Sequence, residues 1–236
     1  MPGTNLTRAE AAERAKVVSV QSYRVELDLT EDPRTFRART TVAFTAEPGT
    51  STFIDAITAS VESVTLNRAS LDPAEVSDGE RIQLPGLAAQ NELVVESTMH
   101  YMNTGEGLHR FVDPADGQVY LYSQFEVADT RRMFPVFEQP DLKATFQFCV
   151  TAPAEWAVVS NQPSPEPVAV SEGVARWDFS PTPVMSCYVT ALIAGPYLST
   201  RDSLVSSDGR TVELGLYARR SLFEHMDAEE MFEVTK

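Results

Sequence analysis

The sequence contains few of the residues that bind metals or form disulfides. Two cysteines and three histidines occur in 236 residues. His100, His109 and His225 do not have the His-Glu-x-x-His spacing that places two ligands on one helix face. Cys149 and Cys187 lie in apolar runs and fit no zinc-ligand pattern. We therefore predict two buried, reduced thiols and no metal site within these residues; no Gly-x-Ser-x-Gly nucleophile motif occurs either.

Basic residues are also scarce, because the chain has 19 Lys and Arg but 34 Asp and Glu, for a net charge of −15. Such a surface repels phosphate backbones, which argues against nucleic-acid binding. Residues 1–5 lack a basic stretch followed by an apolar core. No run approaches the roughly 20 apolar residues that a membrane-spanning helix needs. We expect a soluble, cytoplasmic chain without a membrane segment.

The amino-terminal third begins with a helix signal and then changes to a strand period. Thr7 and Glu10 fit a capping box, and the alanines after them favour a helix. From Tyr23 to Leu29 apolar and polar residues alternate, which predicts a strand with one buried face. A turn at Asp32-Pro33 precedes a second alternating run, so a β-hairpin is expected here.

Short strand-like runs continue along the chain and are separated by Gly- and Pro-containing turns. They cover Ser51–Ile54, Ala59–Leu66, Arg81–Leu84, Glu92–Tyr101, Gln118–Phe125, Ala144–Val150, Ala157–Ser160, Ala175–Phe179, Cys187–Ala194 and Thr211–Tyr217. This spacing predicts an all-β fold, a large antiparallel sheet or sandwich. From Ser221 onward the apolar spacing indicates a helix that reaches the last residue without a stop signal.

The strongest functional signal is Gln124-Phe125-Glu126, at the end of a predicted strand. Side chains alternate along an extended chain, so Gln124 and Glu126 should share one face while Phe125 points into the core. Two neighbouring polar groups backed by an aromatic anchor can hold a small cationic or amide group. By the residues alone, the same pattern also fits an ordinary solvated strand end.

The residues around this pair extend the signal. Arg131, Phe134-Pro135 and Pro140 follow it, and then comes Lys143-Ala144-Thr145-Phe146. The order resembles the aminopeptidase N family of zinc aminopeptidases, which reads Gln-Phe-Glu-x-x-x-Ala-Arg-x-x-Phe-Pro-x-x-Asp-Glu-Pro-x-x-Lys-Ala-x-Phe. Three flanking segments are similar to the family as well: Gly105–Leu108, Val158–Asn161 and Thr182–Tyr188.

The resemblance implies a saddle-shaped β domain that packs on a thermolysin-like zinc domain. It further implies that Glu126 binds the free α-amino group of a peptide and that Gln124 lines the pocket for the first side chain. Charge-assisted hydrogen bonds suit an ammonium ligand, and a fixed amine would place the first peptide bond at the metal. We expect Asp129, Arg131 and Arg132 to form an ion-paired scaffold behind these two residues.

Two details of the resemblance bear on the site. The family often has a non-proline cis peptide after the glutamate, which predicts a cis bond at Glu126–Val127. Where many members read Asp-Glu-Pro, this chain reads Glu138-Gln139-Pro140, so no role is transferred to Glu138 or Gln139.

Because the zinc motif and the family's Gly-x-Met-Glu-Asn segment are both missing, the resemblance implies an amino-terminal fragment that is inactive alone, with zinc in the full-length parent. The expected domains are a helical extension at 1–20, a β-rich domain at 21–220 and the start of a catalytic domain at 221–236. The face that would pack on the zinc domain, with Leu222, Met226 and Phe232, should be exposed. We expect copies to associate through it, which light scattering would detect.

Two alternatives remain open from the sequence. One is a stand-alone β-sandwich binding module, which explains the strand spacing and the missing zinc ligands. The other is a relative with a different role, either an epoxide hydrolase or a non-catalytic scaffold of transcription complexes. Glu126 argues against the epoxide hydrolases, which tend to have Gln at that position.

Overall fold

The computed structural model describes residues 5–236, and this part of the chain is mostly β structure. The helices are α1 (Arg8–Val17), α2 (Pro73–Val76), α3 (Arg220–Phe223) and α4 (Ala228–Thr235). The strands are β1 (Val18–Asp28), β2 (Thr35–Ala46), β3 (Thr52–Asp55), β4 (Ser60–Leu66), β5 (Ala69–Leu71), β6 (Arg81–Leu84), β7 (Gln90–His100), β8 (Gly107–Val112), β9 (Val119–Gln124), β10 (Thr145–Pro153), β11 (Ala157–Ser160), β12 (Val168–Ser171), β13 (Val174–Asp178), β14 (Leu192–Gly195), β15 (Leu198–Val205) and β16 (Thr211–Ala218).

The strands form two main sheets. The larger has eight strands in the order β12-β13-β10-β1-β2-β7-β4-β5, and the smaller has the order β11-β14-β9-β8. The pairs β3-β6 and β15-β16 form separate two-stranded ribbons. Pairing is antiparallel throughout these sheets except between β1 and β10, which run parallel. The all-β prediction is confirmed.

The first hairpin illustrates how the alternating pattern builds the core. β1 and β2 pair antiparallel from Val18↔Ala46 to Asp28↔Arg37. Tyr23 and Val25 on one face of β1 are buried, as the period of two predicts. The Tyr23 ring stacks on Phe146 of the neighbouring strand β10 at a centroid distance of 4.8 Å.

The two sheets share one apolar cluster. Val25 and Phe148 enter it from the eight-stranded sheet, and Leu121 and Leu192 enter it from the four-stranded sheet. Close packing between these faces removes apolar surface from water, which is the main stabilising term for a sandwich. The smaller sheet, which contains β9, is therefore fixed against the larger one.

Several elements differ from the sequence-based expectations. The run Cys187–Ala194 is not one strand, because Cys187–Val189 forms a 3-10 helix and the strand covers only Leu192–Gly195. A buried turn and a buried strand both need apolar residues, so the apolar content of this run does not distinguish the two. The patterns of β8 and β15 were too weakly alternating to be predicted.

The predicted burial of the two cysteines is confirmed, whereas the predicted exposure of Phe232 in the last helix is not. Cys149 and Cys187 are buried free thiols, as expected. Phe232 of α4 is only 7% exposed, so the expectation that it lies open is wrong. Lys236, which directly follows α4, pairs with Asp202 of β15 at 2.6 Å. No helix within residues 5–236 has the length and hydropathy to span a bilayer.

Helix α1 is attached through one buried side chain, that of Arg14. The capping box of Thr7 and Glu10 forms as predicted, but Arg14 is the only buried residue of the helix. The Arg14 guanidinium donates to the Asp55 carboxylate at 2.9 Å and to Gln139 Oε1 at 3.0 Å. The helix is thus held by charge and hydrogen bonds rather than by an apolar face.

Asp55, the last residue of β3, connects this helix to the site loop (residues 125–140), which follows β9. Asp55 is completely buried. Its Oδ2 accepts a hydrogen bond from the Glu138 N–H at 3.1 Å in addition to that from Arg14. Asp55 and Val136 exchange backbone hydrogen bonds of 2.9 and 3.0 Å. Helix α1, β3 and the site loop are therefore held together at Asp55.

Replacing Arg14 should therefore destabilise the whole domain. In Arg14→Met the buried Asp55 charge loses its nearer cation and keeps only Arg81, whose Nε lies 3.8 Å from Oδ1. Breaking a buried pair typically costs about 3–5 kcal/mol. Urea unfolding at pH 7 measures this loss as a fall in the free energy of unfolding.

The matched control lies on the same helix. Lys16 pairs with Glu13 at 2.6 Å, but both side chains are largely exposed. Lys16→Met should change the free energy of unfolding by less than about 1 kcal/mol. Equal effects of the two substitutions would show that the Arg14–Asp55 pair does not stabilise the fold.

Candidate functional site

The candidate pair lies at the end of β9, an inner strand of the four-stranded sheet. Gln124 is the last residue of the strand and pairs with Gly107 of β8. Gln124 and Glu126 are exposed, whereas Phe125 between them is 2% exposed and belongs to the core. The predicted alternation of faces is confirmed, and the buried ring anchors the two polar residues.

A hydrogen bond within the pair fixes its shape. Gln124 Oε1 accepts from the Glu126 backbone N–H at 2.9 Å. The side-chain oxygen of Gln124 is occupied by this contact, so its Nε2 amide remains as a donor for a ligand. The Glu126 carboxylate adds an acceptor beside it.

Gly107 allows the strand end and the site loop to approach closely. It has φ = +60°, a conformation that favours glycine. A Cβ atom at this position would lie 2.8 Å from Cβ of Arg132. A larger residue here would push the Arg132 side chain, and with it the site loop, away from β8.

The cis peptide bond occurs one position later than expected. It joins Val127 to Ala128, not Glu126 to Val127. The Val127 side chain is 59% exposed and follows the exposed Glu126. The prediction of a cis bond at Glu126–Val127 is therefore wrong, because residue spacing alone could not specify which bond is cis.

Behind the pair, Asp129 and Arg132 form an ion pair of the expected scaffold, while the Arg131 side chain donates to uncharged oxygens. Asp129 accepts from Arg132 Nε at 2.7 Å, and Glu106 lies 3.5 Å from the same guanidinium. Arg131 is 3% exposed and donates to the Ala128 carbonyl at 3.0 Å and to Asn5 Oδ1 at 2.9 Å. These contacts fix the backbone on both sides of the cis bond.

The departure from Asp-Glu-Pro has a structural role that the sequence did not reveal. The Glu138 carboxylate is buried and accepts from the Arg131 N–H at 2.8 Å and from Cys187 Sγ at 3.3 Å. Burial raises the pKa of Glu138, although the Arg131 N–H opposes the shift. Gln139 accepts from Arg14 and donates to the Ala11 carbonyl at 3.0 Å.

A second wall faces Gln124 and Glu126, and sequence reasoning did not assign it a role. It consists of Tyr188–Ala191, at the end of the Cys187–Val189 3-10 helix. Asn161 bridges this wall, because its Nδ2 donates to the Val189 carbonyl and its Oδ1 accepts from the Ala191 N–H, both at 2.8 Å. The matches at Val158–Asn161 and Thr182–Tyr188 were the available signal.

Together the two walls enclose a groove of about 390 Å³. The groove is open to solvent along the exposed Gln124 and Glu126 side chains. A carboxylate beside an amide suits an ammonium group, but an exposed ion pair contributes only about 0–1 kcal/mol. Strong recognition at this site requires a further surface that covers the groove and excludes water.

The described residues offer no metal centre. Within residues 5–236, no group of three or more His, Cys, Asp or Glu side chains is arranged to hold a metal ion. None of these residues is therefore assigned as a metal ligand.

Comparison with known families identifies the fold. Residues 19–189 match the Peptidase M1 N-terminal domain model. The match covers most of the chain, including β9, the site loop and the first two residues of the second wall, Tyr188 and Val189. The chain belongs to the Peptidase M1 N-terminal domain family.

Individual relatives agree with this assignment. Aminopeptidase N of Streptomyces lividans is 56% identical over 240 aligned residues, which cover the whole chain and 27% of that protein. Aminopeptidase N of Acetobacter pasteurianus is 33% identical over 187 residues, or 69% of this chain and 50% of the relative. Endoplasmic reticulum aminopeptidase 1 of Homo sapiens is 29% identical over 201 residues, 78% of this chain and 21% of the relative. The chain thus spans about a quarter of the length of the Streptomyces protein.

The raised pKa of Glu138 predicts a pH-dependent stability difference. Between the ordinary carboxyl pKa near 4.5 and the raised value, the unfolded chain releases this proton first, so rising pH favours unfolding. Glu138→Gln lacks this titration. The free energy of unfolding of Glu138→Gln minus that of the wild type should therefore increase as the pH rises above 4.5, by at most about 1.4 kcal/mol per pH unit.

Urea unfolding at several pH values between 4.5 and 7 measures this difference. Glu166→Gln is the control, because Glu166 is an exposed carboxylate in the proline-rich segment after β11. Glu166→Gln makes the same carboxylate-to-amide change at an exposed position, and the pH dependence of the two variants is compared. A pH-independent difference for Glu138→Gln would show that Glu138 is ionised in the folded state like an exposed carboxylate.

Proposed function

We propose that this chain is the amine-recognition part of an aminopeptidase that removes amino-terminal residues from peptides. The observation that carries the proposal is the Gln124–Glu126 pair, exposed on a built groove in a chain of this family. The aminopeptidase relatives support the reaction class. Glu126 binds the α-ammonium group of the peptide, and Gln124 contacts the first side chain.

The geometry explains how such a site would demand a free amino terminus. A carboxylate stabilises an ammonium group by charge and hydrogen bonding but gains little from a neutral, blocked amine. With the amine fixed at Glu126, only the first peptide bond can reach a reaction centre at a set distance. The site would thus select both the end of the chain and the bond.

The remaining machinery is proposed to lie in polypeptide outside residues 1–236. The matched relatives are much longer than this chain, which leaves room for a zinc-binding part. Zinc, where bound, supplies a polarised carbonyl and an activated water. In the longer protein a neighbouring domain would cover the groove and Leu222, which is 45% exposed. We keep a cytoplasmic location as part of this proposal.

Substitution of Glu126 tests the amine-binding role. In the longer protein, Glu126→Gln should lower kcat/KM for an aminoacyl-anilide with a free amine on the order of 100-fold, about 2.8 kcal/mol, because a covered charge pair is lost. Initial rates with the free and the N-acetylated substrate measure the preference for a free amine, which should shrink in the variant.

The control substitution is Glu166→Gln, which also removes one exposed carboxylate. It should leave both rates unchanged. If Glu126→Gln keeps the wild-type preference for free amines, Glu126 does not bind the amine and the proposed function fails.

The proposal also predicts that the 236-residue chain does not hydrolyse peptides by itself. The purified chain, incubated with an aminoacyl-anilide and excess zinc, should release no more aniline than buffer with zinc. The full-length protein at the same molar concentration is the positive control. Turnover by the pure chain would place catalytic groups within these residues and contradict the proposal.

A further inference from the structure

A buried carboxylate joins two segments that are more than 100 residues apart. Asp113 follows β8, in the turn that leads to β9, and is 3% exposed. Its Oδ1 accepts from the Ala115 N–H at 2.9 Å. Its Oδ2 accepts from Arg219 Nη1 at 2.8 Å and from Ser221 Oγ at 2.5 Å. We call these three residues, Asp113, Arg219 and Ser221, the clasp.

Neighbouring contacts hold the same segment. The Arg219 guanidinium lies 4.7 Å from the centre of the Phe111 ring. The Arg220 N–H donates to the Tyr120 hydroxyl at 3.1 Å, and Arg220 Nε donates to the Pro196 carbonyl at 3.2 Å. Each of the three residues from 219 to 221 is thus bonded to the region around the four-stranded sheet.

The segment needs this support because the elements beside it are weak. β16, which ends at Ala218, pairs with β15 alone in a ribbon whose side chains are mostly exposed. An isolated two-stranded ribbon is at best marginally stable. Helix α3 is a single turn with no buried residue. The clasp therefore helps to fix the path of the chain from β16 into α3.

The clasp and the candidate site share one rigid hairpin. Asp113 lies at the turn of the β8–β9 hairpin, and Gln124 lies at its other end, paired with Gly107. Six register pairs, from Gly107↔Gln124 to Val112↔Val119, connect the two ends. The clasp and the Gln124–Glu126 pair are thus joined by one continuous backbone ladder.

We propose that Asp113 is a positioning residue, which through Arg219 and Ser221 fixes residues 219–236 relative to the Gln124–Glu126 pair. Its consequence for catalysis rests on the proposed function, since the covering domain would follow this segment. Loss of the clasp would misplace the amine site against the reacting bond, and small misplacements of bound groups cost rate more than binding.

The first arm of the test uses the 236-residue chain and does not depend on catalysis. Amide hydrogen exchange is measured in wild type, Asp113→Asn and Asp208→Asn. Asp208 is the matched control, because it pairs with Arg210 at 2.6 Å in an exposed turn of the ribbon. Exchange in residues 219–226 should be at least tenfold faster in Asp113→Asn only, with β1 and β10 unchanged. Unchanged exchange in 219–226 would overturn the proposal.

The second arm uses the longer protein. Asp113→Asn should lower kcat about tenfold, while KM and the preference for free amines stay at their wild-type values. Ser221→Thr, which keeps the hydroxyl, should retain the wild-type kcat. Faster exchange without a change in kcat would overturn the positioning role. Faster exchange in β1 as well would show that Asp113→Asn loosens the whole fold. In that case the milder variant Ser221→Ala, which removes one hydrogen bond, is measured instead and judged by the same exchange and kcat outcomes. If the Glu126 test fails, the proposed function is rejected, but the hydrogen-exchange result still shows whether Asp113 fixes residues 219–226.

Discussion

The placement of the site loop depends on the buried carboxylate of Asp55. A fully buried charge is unfavourable unless a cation and hydrogen-bond donors surround it. Asp55 obtains these partners from distant parts of the chain, because Arg14 donates from helix α1 and Glu138 donates its N–H from the site loop. Backbone bonds to Val136 secure the same point. The loop cannot move away from β3 without removing a hydrogen-bond donor from this buried carboxylate and breaking the backbone bonds to Val136.

This rigid base contrasts with the open groove above it. Phe125 is buried in the core, whereas Gln124 and Glu126 are exposed to water. Before any ligand binds, the buried Phe125 and the bond from the Glu126 N–H to Gln124 Oε1 hold the backbone of this pair in place, which lowers the entropy cost of binding. Water around the carboxylate nevertheless weakens its attraction to a cation. The site is therefore preorganised but incomplete, and its affinity would depend on the surface that covers it.

The sequence allowed much of the β framework to be predicted, because that framework follows local rules. The alternation from Tyr23 to Leu29 and the capping box at Thr7 depend on residues a few positions apart. The 3-10 helix at Cys187–Val189 was missed because an apolar run fits a buried turn as well as a strand. The Arg14–Asp55 pair joins positions 41 residues apart, and no local pattern indicates such a pair.

By itself, the sequence determined the fold class, the family and which face of the strand end carries Gln124 and Glu126, since side-chain alternation and motif order are local properties. Only the tertiary structure decided what stands behind and opposite that pair. The buried side chains of Glu138 and Gln139 accept hydrogen bonds from Cys187 and Arg14, respectively. Asn161 accepts a hydrogen bond from the Ala191 N–H of the second wall. These roles arise from contacts between segments far apart in the chain, which the packing of two sheets brings together.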